Sequence, residues 1–354
     1  MQSPLSLLFL TALASAAAMP RVLLPRQNST GGKFQFMGTN IAGFDFGCGT
    51  DGTCDITKAV PPLTALNGPD GAGQMSHFVT DNNFNIFRLP VAWQWLVNNQ
   101  VGGTLDADKT DQYDQLVQAC LTTGASCIID IHNYARFNGK IIGSSGGPTN
   151  DQFVSLWSQL ATKYGTNNKV VFGIMNEPHD LTSIPDWVST VQAVVTAIRK
   201  VAPDNMILIP GSSYSSAQQL PTEAGPALLN VSNPDGSTTG IIFDVHKYLD
   251  SDNSGTHTEC TTDNISNAFQ PLATWLRQNK RQALNTETGG GNTASCQTDL
   301  CSQINFMKQN NDVFLGVVGW AAGSFDATYE LTETPTKQGN TWTDTSLVKA
   351  CLVN

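Results

Sequence analysis

Two glutamates stand directly after short apolar runs and are the first candidates for chemistry. Glu177 ends the stretch VVFGIMNE, and Glu287 lies in ALNTETGG. Two carboxylates that face each other across a cleft can divide the roles of acid and nucleophile if their surroundings hold their pKa values apart. Glycosidic bonds are cleaved by such a pair, and a separation of about 5–5.5 Å between the carboxyl groups goes with retention of configuration. The fold must therefore bring these two side chains together.

Polar or aromatic side chains also end the neighbouring apolar runs. These side chains are those of Arg88, His132, Asn176, His246, Tyr248 and Trp320. Two of the five histidines in the chain are among them, which favours a functional cluster over scattered core histidines. No HExxH motif or short paired histidine spacing occurs. The sequence therefore predicts chemistry without a metal or another cofactor.

The elements that must position these residues are eight short apolar runs spaced along the chain. Continuous rather than alternating hydrophobicity indicates strands that are buried on both faces, as in a parallel sheet. Amphipathic helical patterns lie between them, over residues 111–124, 151–165, 188–201, 265–279 and 299–310. We expect a single-domain (β/α)8 barrel, in preference to a doubly wound sheet. Polar strand ends would then meet at the carboxyl-terminal mouth of the barrel, where the active sites of such folds lie. The runs are FQFMGTNIAG, FNIFRLPV, SCIIDIHN, VVFGIMNEP, MILIPGSS, IIFDVHKY, ALNTETGG and FLGVVGWAAG.

Composition narrows the class of protein. The 354 residues are 40% hydrophobic and 14% charged, which is typical of a globular chain. The net charge of −10 argues against nucleic acid or anionic membranes as partners.

The apolar start followed by alanines predicts a signal peptide over residues 1–18, then a short N-terminal or pro-segment over 19–32. We expect a secreted catalytic domain over residues 33–354.

Eight cysteines agree with export. An even number in an oxidising compartment favours a disulfide framework over a metal site, although eight cysteines allow 105 pairings. Three sequons, at Asn28, Asn230 and Asn264, are candidate N-glycosylation sites.

Several motifs together resemble one known family. They are IMNEP, TETGG, FRLP, DIHNYAR and DVHKYLD, and the longer segments NIAGFDFGC, FGIMNEPHD and GWAAGSFD. The chain resembles glycoside hydrolase family 5 from about Lys33 to its C-terminus, and within it the secreted fungal endo-1,4-β-glucanases. The resemblance implies a retaining hydrolase of β-1,4-glucans, and we expect it to work as a monomer.

The resemblance also implies roles for individual residues. Glu177 would be the general acid/base and Glu287 the nucleophile. Asn176 would hydrogen-bond the sugar 2-hydroxyl, and Arg88 would keep Glu287 ionised, although a structural ion pair would give the same pattern. The remaining site histidines would donate to substrate or to the glutamates, and Tyr248 would hydrogen-bond Glu287.

Aromatic side chains would line the sugar cleft. Trp320 resembles the stacking platform of the family, while Trp93, Tyr134 and Tyr214 are either further cleft residues or core residues. The resemblance further suggests four disulfides, which are Cys48–Cys54, Cys120–Cys127, Cys260–Cys296 and Cys301–Cys351.

Two alternatives stay open at this point. The preferred backbone could be mannan or mixed-linkage β-glucan, since family 5 cleaves these with the same catalytic pair. Outside the enzyme class, the alternative is a non-catalytic glycan-binding barrel, which would be expected to lack one of the two carboxylates. In the implied mechanism Glu177 must be protonated while Glu287 is ionised. In an acidic protein this favours a mildly acidic pH optimum of activity.

Overall fold

Each of the eight apolar runs forms a strand in the computed structural model, which describes residues 32–353. We number the strands β1 to β8 along the chain. Their bounds are Phe36–Ala42, Ile86–Val91, Ser126–Ile131, Val170–Gly173, Ile207–Pro210, Ile241–His246, Ala283–Glu287 and Phe314–Gly323. The leader, the sequon at Asn28 and nearly all of the 19–32 segment lie outside the described residues.

The strands close into a parallel barrel. Every strand pairs with its neighbour in sequence, and β1 pairs with β8 to complete the ring. One or two side chains from each strand fill the interior, which explains the continuous hydrophobicity of the runs. Those side chains are Phe36, Ile86, Ile128, Val171, Leu208, Ile242, Leu284, Leu315 and Val318. The (β/α)8 prediction is confirmed.

Glycine is required where β1 approaches its neighbours closely. A Cβ at Gly38 would lie 1.7 Å from the carbonyl oxygen of Ile86, and one at Gly316 would lie 1.9 Å from that of Phe36. Any side chain at these positions would force the strands apart.

Helices cover the outside of the barrel. Their bounds are Gly71–Asn82 (α1), Trp93–Leu96 (α2), Ala107–Thr122 (α3), Asn150–Tyr164 (α4), Ile184–Arg199 (α5), Gly225–Leu228 (α6), Gln270–Asn279 (α7) and Ala294–Gln309 (α8). A π-helical turn, Ile265–Phe269, precedes α7. The five predicted helices are confirmed. Side-chain caps fix several starts, including a capping box between Thr149 and Gln152 at α4.

Two small hairpins form separate two-stranded sheets. One pairs Arg136–Phe137 with Lys140–Ile141, and the other pairs Thr336–Gln338 with Thr341–Thr343. No helix among residues 32–353 is long and apolar enough to cross a membrane.

Four disulfides tie loops and termini to this frame. They join Cys48 to Cys54, Cys120 to Cys127, Cys260 to Cys296 and Cys301 to Cys351, which are the predicted pairs. The last of them fastens the C-terminal π-helical turn, Val348–Leu352, to α8.

Candidate active site

The two glutamates meet at the carboxyl-terminal mouth of the barrel. Glu287 ends β7, and Glu177 follows β4 with a left-handed backbone conformation, φ 44°. A carboxylate oxygen of each and a ring nitrogen of His246, which ends β6, lie within 4.8 Å of one another. This spacing fits the short separation of a retaining pair.

Glu287 lies in a strongly positive setting. Arg88 donates from Nη1 to its Oε1, and the Tyr248 hydroxyl donates to its Oε2 over 2.9 Å. Its burial favours the neutral acid, but the positive charges of His246, Arg88 and His132 outweigh burial and lower the pKa of Glu287 to about 2. Glu287 is therefore ionised throughout the acidic and neutral range.

Arg88 is the centre of the polar network and is fully buried. Its Nη2 donates to Asn176 Oδ1 over 2.6 Å and lies 3.0 Å from Asp130 Oδ1. Its Nη1 also donates to Asn40 Oδ1 over 3.0 Å. The pKa of Arg88 is raised, because the charges of Asp130 and Glu287 outweigh the effect of its burial. One guanidinium thus orients the nucleophile and Asn176 together.

Glu177 has the opposite electrostatic setting. Burial raises its pKa, and the negative charge of Glu287 raises it further, whereas a hydrogen bond to His246 opposes both. That bond joins His246 Nδ1 to Glu177 Oε1 over 2.8 Å. The pKa values of the two carboxyl groups are therefore shifted apart, which is the condition for dividing acid and nucleophile roles.

The hydrogen bond made by Nε2 of His246 determines which ring nitrogen carries the proton when the imidazole is neutral. The Thr286 hydroxyl donates to Asp244 Oδ1, so its oxygen accepts from His246 Nε2–H over 2.9 Å. Neutral His246 is then left with Nδ1 as an acceptor for protonated Glu177. When Glu177 ionises, the imidazole can instead hold a second proton and donate it back. Burial lowers the pKa of His246, but the charges of Glu287 and Glu177 raise it above its usual value.

Trp320 forms one wall of the mouth. Its ring stacks on that of His132 with centroids 5.3 Å apart, and its Nε1 donates to the Tyr329 hydroxyl over 2.9 Å. His132 is itself fixed by Asp130 Oδ2, 2.8 Å from its Nδ1. Trp320 and His132 are therefore both held in place on the cleft wall.

An open cavity of about 420 Å³ extends along this wall. It is lined by the predicted residues His132, Tyr134 and Trp320, and by Asp45, Phe46, Gly47, Cys48, Lys58 and Phe325. Sequence reasoning missed Asp45, Phe46 and Phe325 as individual residues, although NIAGFDFGC and GWAAGSFD were recognised as motifs.

Tyr214 lies near the other side of Glu177 and is 44% exposed. Its ring stacks on His179 with centroids 4.2 Å apart, and its backbone N–H donates to the carbonyl of Pro178. His179 is anchored in turn by the Thr50 carbonyl, 2.8 Å from its Nε2. The tyrosine is thus fixed to the loop that carries the acid candidate.

Two of the predicted residues fall elsewhere. Trp93 is fully buried between Phe137 and Phe153, so it belongs to the core and has no face free for a sugar. Asn264 is also fully buried and donates to the Tyr248 carbonyl over 2.8 Å, so it has no room for a glycan. The structure therefore favours the core alternative for Trp93 and argues against glycosylation of Asn264. Asn230, in contrast, is exposed.

Two groups of side chains have the spacing of metal ligands. One is Glu177, His246 and Glu287, and the other is Asp250, Asp252 and His257. In the second group the carboxylate of Asp250 already accepts hydrogen bonds from the backbone N–H groups of Gly255 and His257, so it stabilises the loop that contains them. The first group is the carboxylate pair itself, and the prediction of metal-free chemistry stays a prediction.

The fold and the site together define a class of enzyme. A (β/α)8 barrel that places two carboxyl groups with opposite pKa shifts together at its mouth, beside an aromatic wall, has the machinery of a retaining glycoside hydrolase.

Comparison with known proteins gives the particular family. Residues 49–326 match the family model described as cellulase (glycosyl hydrolase family 5). The chain belongs to glycosyl hydrolase family 5.

Two relatives and two solved structures illustrate the range of similarity. Endoglucanase EG-II of Hypocrea jecorina is 64% identical over 90% of this chain and 77% of its own. The crystal structure of Cel5A (EG2) from that fungus covers 91% of this chain and 99% of its own, with 62% identity and a TM-score of 0.89. The manganese dependent endoglucanase Eg5A of Phanerodontia chrysosporium is 51% identical over 86% of this chain and 76% of its own. XacCel5A in complex with cellopentaose covers 90% of this chain and 98% of its own, with 30% identity and a TM-score of 0.78.

Proposed function

We propose that the chain is a secreted endo-1,4-β-glucanase that hydrolyses internal bonds of cellulose and related β-glucans by retaining double displacement. One observation carries the proposal: a carboxylate oxygen of Glu177 and one of Glu287 lie within 4.8 Å of each other, and the pKa values of the two groups are shifted in opposite directions. Two acids of equal pKa at that distance would compete for one proton.

In the first step, Glu287 attacks the anomeric carbon while Glu177 gives its proton to the departing glycosidic oxygen. The bond from Glu287 to the sugar forms as the bond to the leaving chain breaks. Tyr248 and Arg88 hold the two Glu287 oxygens, so the attacking oxygen is aligned before substrate binds.

In the second step, ionised Glu177 takes a proton from water, and that water displaces Glu287 from the anomeric carbon. Formation of the glycosyl ester removes the negative charge of Glu287, and with it one cause of the raised pKa of Glu177. The acid of the first step thereby becomes a better base for the second. His246 Nδ1 accepts a hydrogen bond from protonated Glu177 and, when it carries a proton itself, donates one to ionised Glu177.

Substrate is held by the residues around this pair. Asn176, fixed by Arg88, offers its side-chain nitrogen to the sugar 2-hydroxyl, and that nitrogen is buried without a partner among the described residues. We assign Trp320 as the platform under the reacting sugar, and Tyr134 and Tyr214 as aromatic contacts further along the glucan. The cellopentaose complex of XacCel5A supports a cleft for several sugars.

The secreted location is supported by four disulfides, which persist in oxidising compartments. The expected leader over residues 1–18 and the catalytic domain over 33–354 are part of the same proposal.

Hydrolysis of carboxymethylcellulose, barley β-glucan and mannan by the wild type and by Glu287→Gln tests the proposal, each assay being run with and without EDTA. We expect cleavage of the cellulose derivative by the wild type in EDTA, and at least a 10³-fold loss in the variant. Equal activity of the two proteins would refute the nucleophile assignment. Mannan as the preferred substrate would refute the glucanase assignment, and activity that needs added Mn²⁺ would refute the metal-free mechanism.

A further inference from the structure

Glu333 is a fully buried carboxyl group that has no place in the reaction described above. It follows β8 and lies against the outer face of the barrel, where β8 meets β1. Side chains alternate along a strand, and Asn40 points inward to Arg88, so its neighbour Thr39 points outward to Glu333.

Three contacts fix Glu333 in the seam between β1 and β8. Its Oε2 accepts from the Thr39 hydroxyl over 2.5 Å, and its backbone N–H donates to the Ala321 carbonyl over 2.8 Å. The carboxyl group also lies flat on Gly319, where an added Cβ would be 2.1 Å from Oε1. Oε1 itself has no hydrogen-bond partner among the described residues.

The segment that Glu333 closes supports Trp320. We call residues 324–333 the backing segment. Within it, Tyr329 accepts a hydrogen bond from the Trp320 indole, and Phe325 stacks on Tyr329 with centroids 3.8 Å apart. Leu331 is buried in the same small cluster as Trp320. The backing segment is joined to β8 at one end by the chain itself and is fastened to the seam at the other end by Glu333.

We propose that Glu333 is a positioning residue that fixes the backing segment, and through it the Trp320 platform, against the seam between β1 and β8. The inference rests on the proposed stacking role of Trp320. It assigns Glu333 no contact with substrate.

The surroundings of Glu333 require the neutral acid. Burial raises its pKa to about 8, and the hydrogen bond from Thr39 only partly opposes this. From β1 it faces Thr39 and from β8 it faces Gly319 and Ala321, none of which is charged. No ionisable side chain of residues 32–353 forms an ion pair or a hydrogen bond with it. Ionisation at alkaline pH therefore places an unpaired charge in the seam, which is costly enough to release the segment.

Binding measurements separate this role from a merely structural one. Isothermal titration of cellotetraose is carried out between pH 6 and pH 9.5 in a Glu177→Gln background, which removes both hydrolysis and the titration of Glu177. We expect the affinity for cellotetraose to fall about tenfold or more above pH 8, since only the neutral form of Glu333 holds Trp320 in position to stack on the glucan. Addition of Glu333→Gln should leave affinity constant within about twofold over this range, because the amide keeps the shape and stays neutral.

Controls make each outcome decisive. Glu330→Gln changes an exposed carboxylate in the backing segment and should keep the alkaline fall. The inference would be overturned if the affinity for cellotetraose fell above pH 8 to the same extent in the Glu333→Gln protein, or if it fell neither with nor without that substitution. Trp320→Ala should lose binding at pH 6. If it binds as well as its parent, the platform role of Trp320 under the proposed function fails, and this outcome is distinct from a failure of the Glu333 inference.

Hydrogen exchange in the wild type needs no variant and gives a second test. Peptides from 324–333 should lose protection between pH 7 and pH 9, after correction for the intrinsic rate, while α8 stays protected. Unchanged protection of 324–333 would contradict the proposal.

Discussion

Replacing Arg88 tests how the nucleophile is kept ionised. The pKa of Glu287, about 2, lies about 2.5 pH units below its ordinary value of 4.5. This corresponds to about 3 kcal/mol in favour of the carboxylate, in spite of its burial. Arg88 contributes both a positive charge and a direct hydrogen bond. Its loss should raise the pKa of Glu287, although the charges of His246 and His132 still act to lower it.

The assay is the pH dependence of kcat/KM on a soluble cello-oligosaccharide, which reports the ionisation of the free enzyme. In Arg88→Met the acid limb should move up from about pH 2 by more than one pH unit, because both a positive charge and a hydrogen bond to Glu287 are lost. Arg88→Lys keeps a positive charge and should hold the limb within about one pH unit of the wild type. Its kcat should still fall, because one ammonium group cannot hold Glu287 and Asn176 together.

Stability must be followed in the same proteins. Removing one partner of a buried ion pair costs about 3–5 kcal/mol, so urea unfolding at each pH shows which variants are folded. Arg277→Met removes a surface ion pair with Asp312 and should leave the acid limb unchanged. An acid limb that stays near pH 2 in folded Arg88→Met would refute the electrostatic role of Arg88.

Three further predictions concern other parts of the molecule. First, the pKa of Glu333 is raised in the folded state, to about 8 from 4.5, so the unfolded chain loses this proton first as pH rises. The wild type should lose about 4 kcal/mol of unfolding free energy through this group between pH 4.5 and pH 8. Glu333→Gln should lack that component in urea titrations at pH 4 and pH 8, and an identical pH dependence would contradict the raised pKa. Second, Tyr214→Ala should raise KM for cellopentaose about three- to tenfold with little change in kcat, as expected for loss of one aromatic contact; an unchanged KM would remove Tyr214 from the cleft. Third, replacing Cys301 and Cys351 by alanine opens a loop of 50 residues and should lower stability by about 4 kcal/mol. A thermal midpoint equal to that of the wild type would show that this disulfide contributes nothing.

The barrel could be predicted from sequence because its pattern is local. Each strand lies in a largely continuous apolar run, as expected for strands buried on both faces, and most of the runs end in polar or aromatic residues at the barrel mouth. The same logic brought Arg88, Glu177 and Glu287 together, since the carboxyl ends of all eight strands meet at one mouth.

The misses depend on contacts between distant parts of the chain. α1 begins with two glycines in its first three residues, so its local propensity does not favour a helix; it is capped by Asp70 and buries Phe78 against the barrel. Trp93 follows a strand as a cleft residue would, yet it turns into the core. Phe325 and Glu333 lie in a segment with loop-like composition, and their positions are set by contacts with residues distant in sequence, such as Phe46 and Thr39.

The order of roles in the carboxylate pair is the central claim, and trapping the covalent intermediate tests it most directly. The wild type is incubated with a 2-deoxy-2-fluoro-cellobioside that carries a good leaving group, then digested and analysed by mass spectrometry. We predict a fluorocellobiosyl adduct on the peptide that contains Glu287 and none on the peptide that contains Glu177. An adduct on Glu177, or turnover with no adduct on either glutamate, would contradict the account.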